Sequence, residues 1–156
     1  MTGSGKTLAF IVPTLEMLLK KYTKESGFNK FNIHTLIISP TRELAQQTFD
    51  ITNDFIQSFD DPERFSCIKF VGGSKHESDK DHFEMHGGTI VVTTPGRMEE
   101  LLKLKTDSFN LLTHLKSLVR TLPCCLTVAM LDYVSVQEML VLDEADRLLD
   151  LGFWTR

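Results

Sequence analysis

The sequence predicts an α/β fold, a parallel sheet with helices on both faces. Three observations carry this. Short apolar runs alternate with helical stretches, the runs are nearly continuous rather than alternating with polar residues, and a glycine-rich loop leads straight into the first helix. Continuous apolar runs belong to strands covered on both sides, the state that crossover helices create.

Leu8, Ile11, Val12, Leu15, Leu18, Leu19 and Tyr22 recur with helical period, so Gly5 to about Tyr22 reads as the first helix. Pro13 removes one of its hydrogen bonds and should bend it locally. Thr23 to Phe31 is polar and reads as an exposed connection. Ile33 to Ser39, with Leu36-Ile37-Ile38 at its centre, is the first strand, and Pro40 ends it. Thr41 caps a helix from Arg42 to about Phe59, whose stripe is Leu44, Thr48, Ile51, Phe55 and Phe59, with Glu43 in the favourable first turn. Phe65 to Val71 is a second strand closed by Gly72-Gly73. A short polar helix around Ser78 to Met85 leads to the third strand, Thr89 to Thr93, which Pro95-Gly96 breaks before a helix from Arg97 to about Leu104. Met139-Leu140-Val141-Leu142 is a fourth buried strand.

The length of 156 residues suits one domain, and 42% hydrophobic with 24% charged residues is an ordinary globular balance. A net charge of −4 means that nucleic-acid contact would need a local basic patch. The three cysteines, Cys67, Cys124 and Cys125, have neither disulfide-framework nor metal-ligand spacing, which favours a reduced, intracellular protein. No apolar run reaches the roughly 18 residues of a membrane span, and Met1 is followed by the glycine loop rather than a signal peptide, so no membrane partner is expected.

Thr2-Gly3-Ser4-Gly5-Lys6-Thr7 supplies the latter part of a phosphate-binding loop, in which glycines let backbone N–H groups turn toward phosphate at a helix N-terminus. In that reading Lys6 reaches the β- and γ-phosphates of ATP and the Thr7 hydroxyl ligates Mg²⁺. The bare motif is weak and needs a partner. Leu140-Val141-Leu142-Asp143-Glu144 is one: an apolar strand ending in an aspartate to hold Mg²⁺, partly through water, and a glutamate to orient and deprotonate water. Two solvated acids at a strand end is the bland alternative, outweighed by two motifs in the correct order.

With Pro40-Thr41-Arg42-Glu43-Leu44-Ala45, Gly72-Gly73, Thr94-Pro95-Gly96-Arg97 and Asp143-Glu144-Ala145-Asp146 following the loop in order, the chain resembles the first RecA-like domain of the DEAD-box, ATP-dependent RNA helicases. The resemblance runs from Thr2 to about Leu118 and resumes from about Glu138 to Phe153. It implies that Pro40, Thr41, Arg42, Glu43, Gly72, Gly73, Thr94, Pro95, Gly96 and Arg97 line a groove holding single-stranded RNA by its backbone, without sequence preference. Taken singly, Thr41 is a helix cap and Gly72-Gly73 a turn, and both readings can hold together. Asp146 in such proteins couples the ATP site to later motifs. Asp143 to Phe153, with Gly87 to Val92, is similar to the subgroup acting in nucleolar assembly of the large ribosomal subunit, which implies pre-ribosomal partners and a nuclear or nucleolar location.

Three departures set further expectations. Met1 stands inside the phosphate loop, so the strand feeding it and the upstream adenine-reading segment are expected to be missing. Each buried group left unpaired costs about 1 to 3 kcal/mol against a total stability of roughly 5 to 15, so the chain is expected not to fold stably alone, and to be a monomer if folded. An insertion at 119–137, Val119 to Gln137, is too apolar for a solvated loop. It reads as an unspliced in-frame intron, since Val codons start GT and one Gln codon ends AG, or as an extra strand or helix packed on the core. Finally, the chain stops at Arg156, before the family's second RecA-like domain, whose arginines are worth about 10³ to 10⁵ in rate. Poor hydrolysis and no unwinding are therefore expected of these residues alone, and a non-catalytic product with weak nucleotide or RNA binding is the competing hypothesis.

Of the remaining candidates, His76, His82 and His86 read as solvated helix residues rather than metal ligands. Ser39, Cys67 and Thr94 form no nucleophile, base and orienter set.

Overall fold

The computed structural model describes residues 5–24, 29, 31–73, 76–103 and 139–150. The expectations for Thr2, Gly3, Ser4, for 119–137 and for the residues after 150 fall outside that set. The elements run α1 (Lys6–Lys24), β1 (Thr35–Ile38), α2 (Arg42–Gln57), a 3-10 turn (Pro62–Arg64), β2 (Cys67–Phe70), α3 (His76–His86), β3 (Ile90–Thr93), α4 (Pro95–Lys103), β4 (Met139–Leu142) and α5 (Ala145–Asp150).

The four strands form one parallel sheet in the order β2-β3-β1-β4. Thr35 of β1 stands beside Ile90 on one side and Met139 on the other, and Cys67 pairs with Ile90 across β2 and β3. Every residue of β1 and β3 is buried, as continuous apolar runs require. Residues of alternate parity face opposite sides. Ile37, Cys67, Ile90 and Val92 point to one face and cluster there with Ile11, Leu15 and Leu18 of α1, Ala45 and Ile56 of α2, and Phe65. Ile68 points to the other, where Phe83 of α3 meets it across Gly88. Helices therefore cover both faces.

The α1 apolar stripe is wider than the face it buries. Ile11, Thr14, Leu15 and Leu18 are buried at the spacing of one helix face, and the Thr14 hydroxyl lies 2.9 Å from the Met139 sulfur of β4. Leu8, Val12 and Leu19, expected in the same stripe, are 44%, 48% and 38% exposed, on the flank turned away from the sheet. Pro13 lies within α1 on an exposed position.

In α2 the buried line is Ala45, Thr48, Thr52 and Ile56, about one residue round from the expected stripe. Ile51, Phe55 and Phe59 pack at its margin. The Thr52 side chain tolerates burial because its hydroxyl donates to the Thr48 backbone carbonyl, 2.7 Å away. Phe65, just before β2, receives Tyr22 and Phe59 edge-on, with ring centroids 6.0 Å away in each case. This fixes the far end of α1 against the end of α2.

Two boundaries differ from the sequence expectation. Pro95 does not merely break β3: it is the first residue of α4, where its missing N–H would have had no intrahelical partner and its fixed φ suits a helix. The helix α5, not expected, starts directly after Glu144. Gly87, at φ +75°, ends α3 in the left-handed conformation, its N–H donating to the Phe83 carbonyl at 2.8 Å.

Candidate functional site

Four strands pointing the same way bring their C-terminal ends to one edge of the sheet, where open α/β folds hold ligands. Ser39-Pro40-Thr41 follows β1, Gly72-Gly73 follows β2, Thr94 to Arg97 follows β3 and Asp143-Glu144 follows β4. The candidates spread along the sequence are thus gathered along that edge, with Lys6 at the start of α1.

The hydrogen-bond ladder continues past the strand ends and fixes this edge. The Ser39 N–H donates to the Thr93 carbonyl at 2.9 Å, and the Asp143 N–H donates to the Ile38 carbonyl at 3.0 Å. The Ser39 hydroxyl then donates to Asp143 Oδ2 at 3.3 Å. Burial pushes the Asp143 carboxyl above the usual aspartate range. The Ser39 hydrogen bond opposes that, the Glu144 carboxylate beside it adds to it, and the positive charge of Lys6 opposes it again. Lys6 and Asp143 therefore feel each other's charge although they stand near opposite ends of the chain.

Gly5 adopts φ +69° and its carbonyl accepts the Ala9 N–H at 3.0 Å, the first hydrogen bond of α1. Lys6 is exposed and Thr7 half-buried. A helix N-terminus beside an exposed ammonium suits an anion. Mg²⁺ fits the same place: a half-buried carboxylate whose ionised form is disfavoured by burial and by a second carboxylate is relieved by a cation. Among the described residues no group of three or more His, Cys, Asp or Glu side chains could hold a metal.

Glu144 has φ +46°, the only positive φ of a non-glycine residue among those described. That conformation costs on the order of 1 to 2 kcal/mol and is found where surrounding structure imposes it. The imposing structure is α5, whose Leu148 N–H donates to the Glu144 carbonyl at 3.1 Å. The Glu144 carboxylate lies 3.0 Å from Arg147 Nε, an ion pair without hydrogen-bond alignment. Asp146 is exposed in the first turn of α5.

The residues after β1 and β2 form a second group. Thr41, extended at φ −128° and ψ 160°, accepts the Leu44 N–H on its hydroxyl at 3.2 Å and so caps α2. Hydrogen bonding from its own backbone N–H and from Thr41 holds the exposed Glu43 carboxyl below its usual range. Pro40 is buried and Arg42 exposed. The Arg42 guanidinium lies over the glycine pair: a Cβ on Gly72 would stand 3.1 Å from its Nη2, and one on Gly73, at φ +103°, 3.4 Å from its Nη1. Side chains at either position would crowd this arginine.

After β3, Thr94 is nearly buried and its carbonyl accepts the Met98 N–H at 2.9 Å, so Thr94 precedes the first turn of α4. Arg97 is only 3% exposed, and its guanidinium is held by Asp79 and Glu100. Sequence reasoning passed over three of these partners. Ser39 carried a signal, since it is the polar residue closing an apolar run. Arg147 stands one helical turn beyond Glu144. Asp79 carried none, for an acid in a polar helix reads as solvated. Cys67 is buried and burial pushes its thiol far up, which leaves it inert. His82 and His86 are exposed, their rings tilted at 55° with centroids 4.7 Å apart.

A family model described as DEAD/DEAH box helicase matches residues 1–155. The ATP-dependent RNA helicase DDX55 of Gallus gallus is 42% identical over 153 residues, which cover 98% of this chain and 22% of that protein. The ATP-dependent rRNA helicase SPB4 of Saccharomyces cerevisiae is 33% identical over 156 residues, again 98% of this chain and 22% of that protein. The chain thus spans about a fifth of the length of these relatives. Among solved structures, Mss116p bound to ssRNA and AMP-PNP superposes with a TM-score of 0.69 at 26% identity, over 97% of this chain and 24% of that one. The yeast DEAD-box splicing factor Prp28 does so with 0.65 at 31%, over 97% and 29%.

Proposed function

The chain belongs to the DEAD/DEAH box helicase family, and from that premise we propose that its strand-end edge is the ATP site and part of the RNA groove of an RNA-dependent ATPase and helicase. Lys6 holds the β- and γ-phosphates over the backbone of Thr2, Gly3, Ser4 and Gly5. Thr7 and Asp143 would hold Mg²⁺, which when bound neutralises charge on the phosphate oxygens. Glu144 orients the attacking water and takes its proton. Asp146, exposed on α5, is the residue through which this site communicates with the rest of a helicase.

The observation that carries this reading is the placement of Asp143 at the strand-end edge, bonded to Ser39 and next to Glu144. Phosphoryl transfer asks the protein for positioning and charge more than for covalent chemistry, and two acids stand at the strand-end edge within electrostatic reach of Lys6 at the start of α1. The RNA backbone follows Pro40, Thr41, Arg42, Glu43, Gly72, Gly73, Thr94, Pro95 and Gly96, with Arg97 contributing from beneath. The exposed Arg42 suits phosphates of any sequence. Relatives named as an RNA helicase and an rRNA helicase support pre-ribosomal RNA as substrate and a nucleolar location.

The test is RNA-stimulated phosphate release and fluorescent ATP-analogue binding by the full chain, beside Lys6→Ala and Glu144→Gln. Lys6→Ala should lose analogue binding, and Glu144→Gln should retain it and lose RNA-stimulated release. Identical background release from all three, with the analogue bound equally, would overturn the catalytic reading in favour of a non-catalytic binder.

A further inference from the structure

Arg97 belongs to the turn that follows β3, yet its charge does not face the phosphate edge. Its Nε and Nη2 both donate to Asp79 Oδ2, at 3.0 and 2.7 Å, and its Nη1 donates to Glu100 Oε2 at 2.8 Å. The Arg97 and Asp79 side chains are 2% and 8% exposed. A guanidinium desolvated to this extent and held by two carboxylates would have to abandon them, and take two hydrogen bonds from the buried Asp79, to reach a phosphate. Arg42 is placed the other way, exposed and lying over Gly72 and Gly73.

The partner's position gives the pair its meaning. Asp79 sits on α3, the helix that follows the Gly72-Gly73 turn, and Arg97 sits in the first turn of α4, directly after Thr94-Pro95-Gly96. Both turns leave adjacent parallel strands at matched positions, Phe70 beside Thr93. A buried ion pair between the two helices is therefore a cross-brace between the two turns. We propose that Arg97 is a positioning residue for RNA binding, not a phosphate ligand: acting through Asp79, it sets the spacing of the Gly72-Gly73 turn against the Thr94-Pro95-Gly96 turn. This rests on the RNA-binding reading above.

Counterion release separates the two roles. Losing a phosphate contact on single-stranded RNA lowers the slope of log affinity against log salt by about 0.7, whereas a misplaced turn weakens binding without changing how many phosphates are neutralised. Binding of an oligouridylate by the full chain is measured across a salt series for Arg97→Gln, Asp79→Asn, their combination and Arg42→Gln. Each of the first two should weaken binding by a similar factor, on the order of tenfold, with the combination no weaker than either alone, as expected of partners in one interaction. Their salt slopes and ATP-analogue affinities should match the unsubstituted chain, while Arg42→Gln should lower the slope. An unchanged affinity for Asp79→Asn, with a lowered slope for Arg97→Gln, would overturn the proposal. If either substitution unfolds the chain, the arginine Nε–H resonances of the unsubstituted protein decide: added RNA should move that of Arg42 and leave that of Arg97 in place, and the reverse result refutes the brace. Absence of any oligouridylate binding by the unsubstituted chain would refute the RNA reading itself, and the brace with it.

Discussion

Ser39 and Asp143 close the same edge of the sheet from neighbouring strands: the serine hydroxyl donates to the aspartate carboxylate at 3.3 Å, across 104 residues of sequence. This single hydrogen bond does not compensate the burial of the acid, whose carboxyl remains above its ordinary range.

A raised carboxyl favours the folded state when protonated and opposes it when ionised. That contribution is full below the ordinary aspartate value of about 3.9 and is lost as pH rises through the elevated one. Asp143→Asn should therefore melt higher than the unsubstituted chain at neutral pH, by on the order of one degree given partial solvent screening. The difference should vanish below about pH 4. Melting curves across that range, without nucleotide, check it.

Thr41 is the N-cap of α2 through the bond from the Leu44 N–H, and its side chain also helps hold the Glu43 carboxyl low. Thr41→Ala should cost about 1 kcal/mol of stability, while Thr41→Ser should restore most of it. The same alanine substitution should raise the Glu43 carboxyl toward its ordinary value, readable by NMR titration.

Gly88 has no room for a side chain. A Cβ there would stand 2.7 Å from Ile68 Cδ1 and 2.7 Å from Phe83 Cε2, both on buried residues of the core. Gly88→Ala should destabilise by roughly 1 to 3 kcal/mol, the usual cost of overpacking. Pairing it with Phe83→Leu should recover part of the loss in a denaturant titration.

Glu144 holds a left-handed backbone that glycine adopts freely. Glu144→Gly should leave stability unchanged or raise it by up to about 1 kcal/mol while abolishing RNA-stimulated hydrolysis. A denaturant midpoint and a phosphate-release assay on the same preparation measure both; a clear loss of stability would show that the carboxylate and its Arg147 partner hold the turn together.

The strands β1 and β3 were legible because their burial on both faces leaves a local mark, Leu36-Ile37-Ile38 or Ile90-Val91-Val92, that no distant residue is needed to interpret, whereas Met139, Val141 and Leu142 of β4, expected to be buried, are half-buried. Helix ends were less so. Pro95 carries the same chemistry whether it stops a strand or starts a helix, and only the following turn decides. The α2 face was misjudged by about one residue because Ala45 and Thr52 carry little apolar signal yet lie deep, beside the expected Thr48. At the site, the residue types and their order were visible in the sequence, but the state of each charge was not. Arg42 and Arg97 look equivalent there, and one is exposed while the other is enclosed by an acid eighteen positions earlier.

The strand order has a consequence in time. Three strands, β2, β3 and β1, come from the stretch ending with Thr93 and pair with one another, whereas β4 must find β1 across a separation of about a hundred residues. Contacts so distant in sequence form late, because the chain must close a long loop before they repay it. As the polypeptide emerges from the ribosome, the turns after β1, β2 and β3 can assemble while the segment bearing Asp143 and Glu144 is still being made. The strand-end edge therefore takes shape before it acquires its acids, and Asp143 and Glu144 reach it last of the described residues that line it.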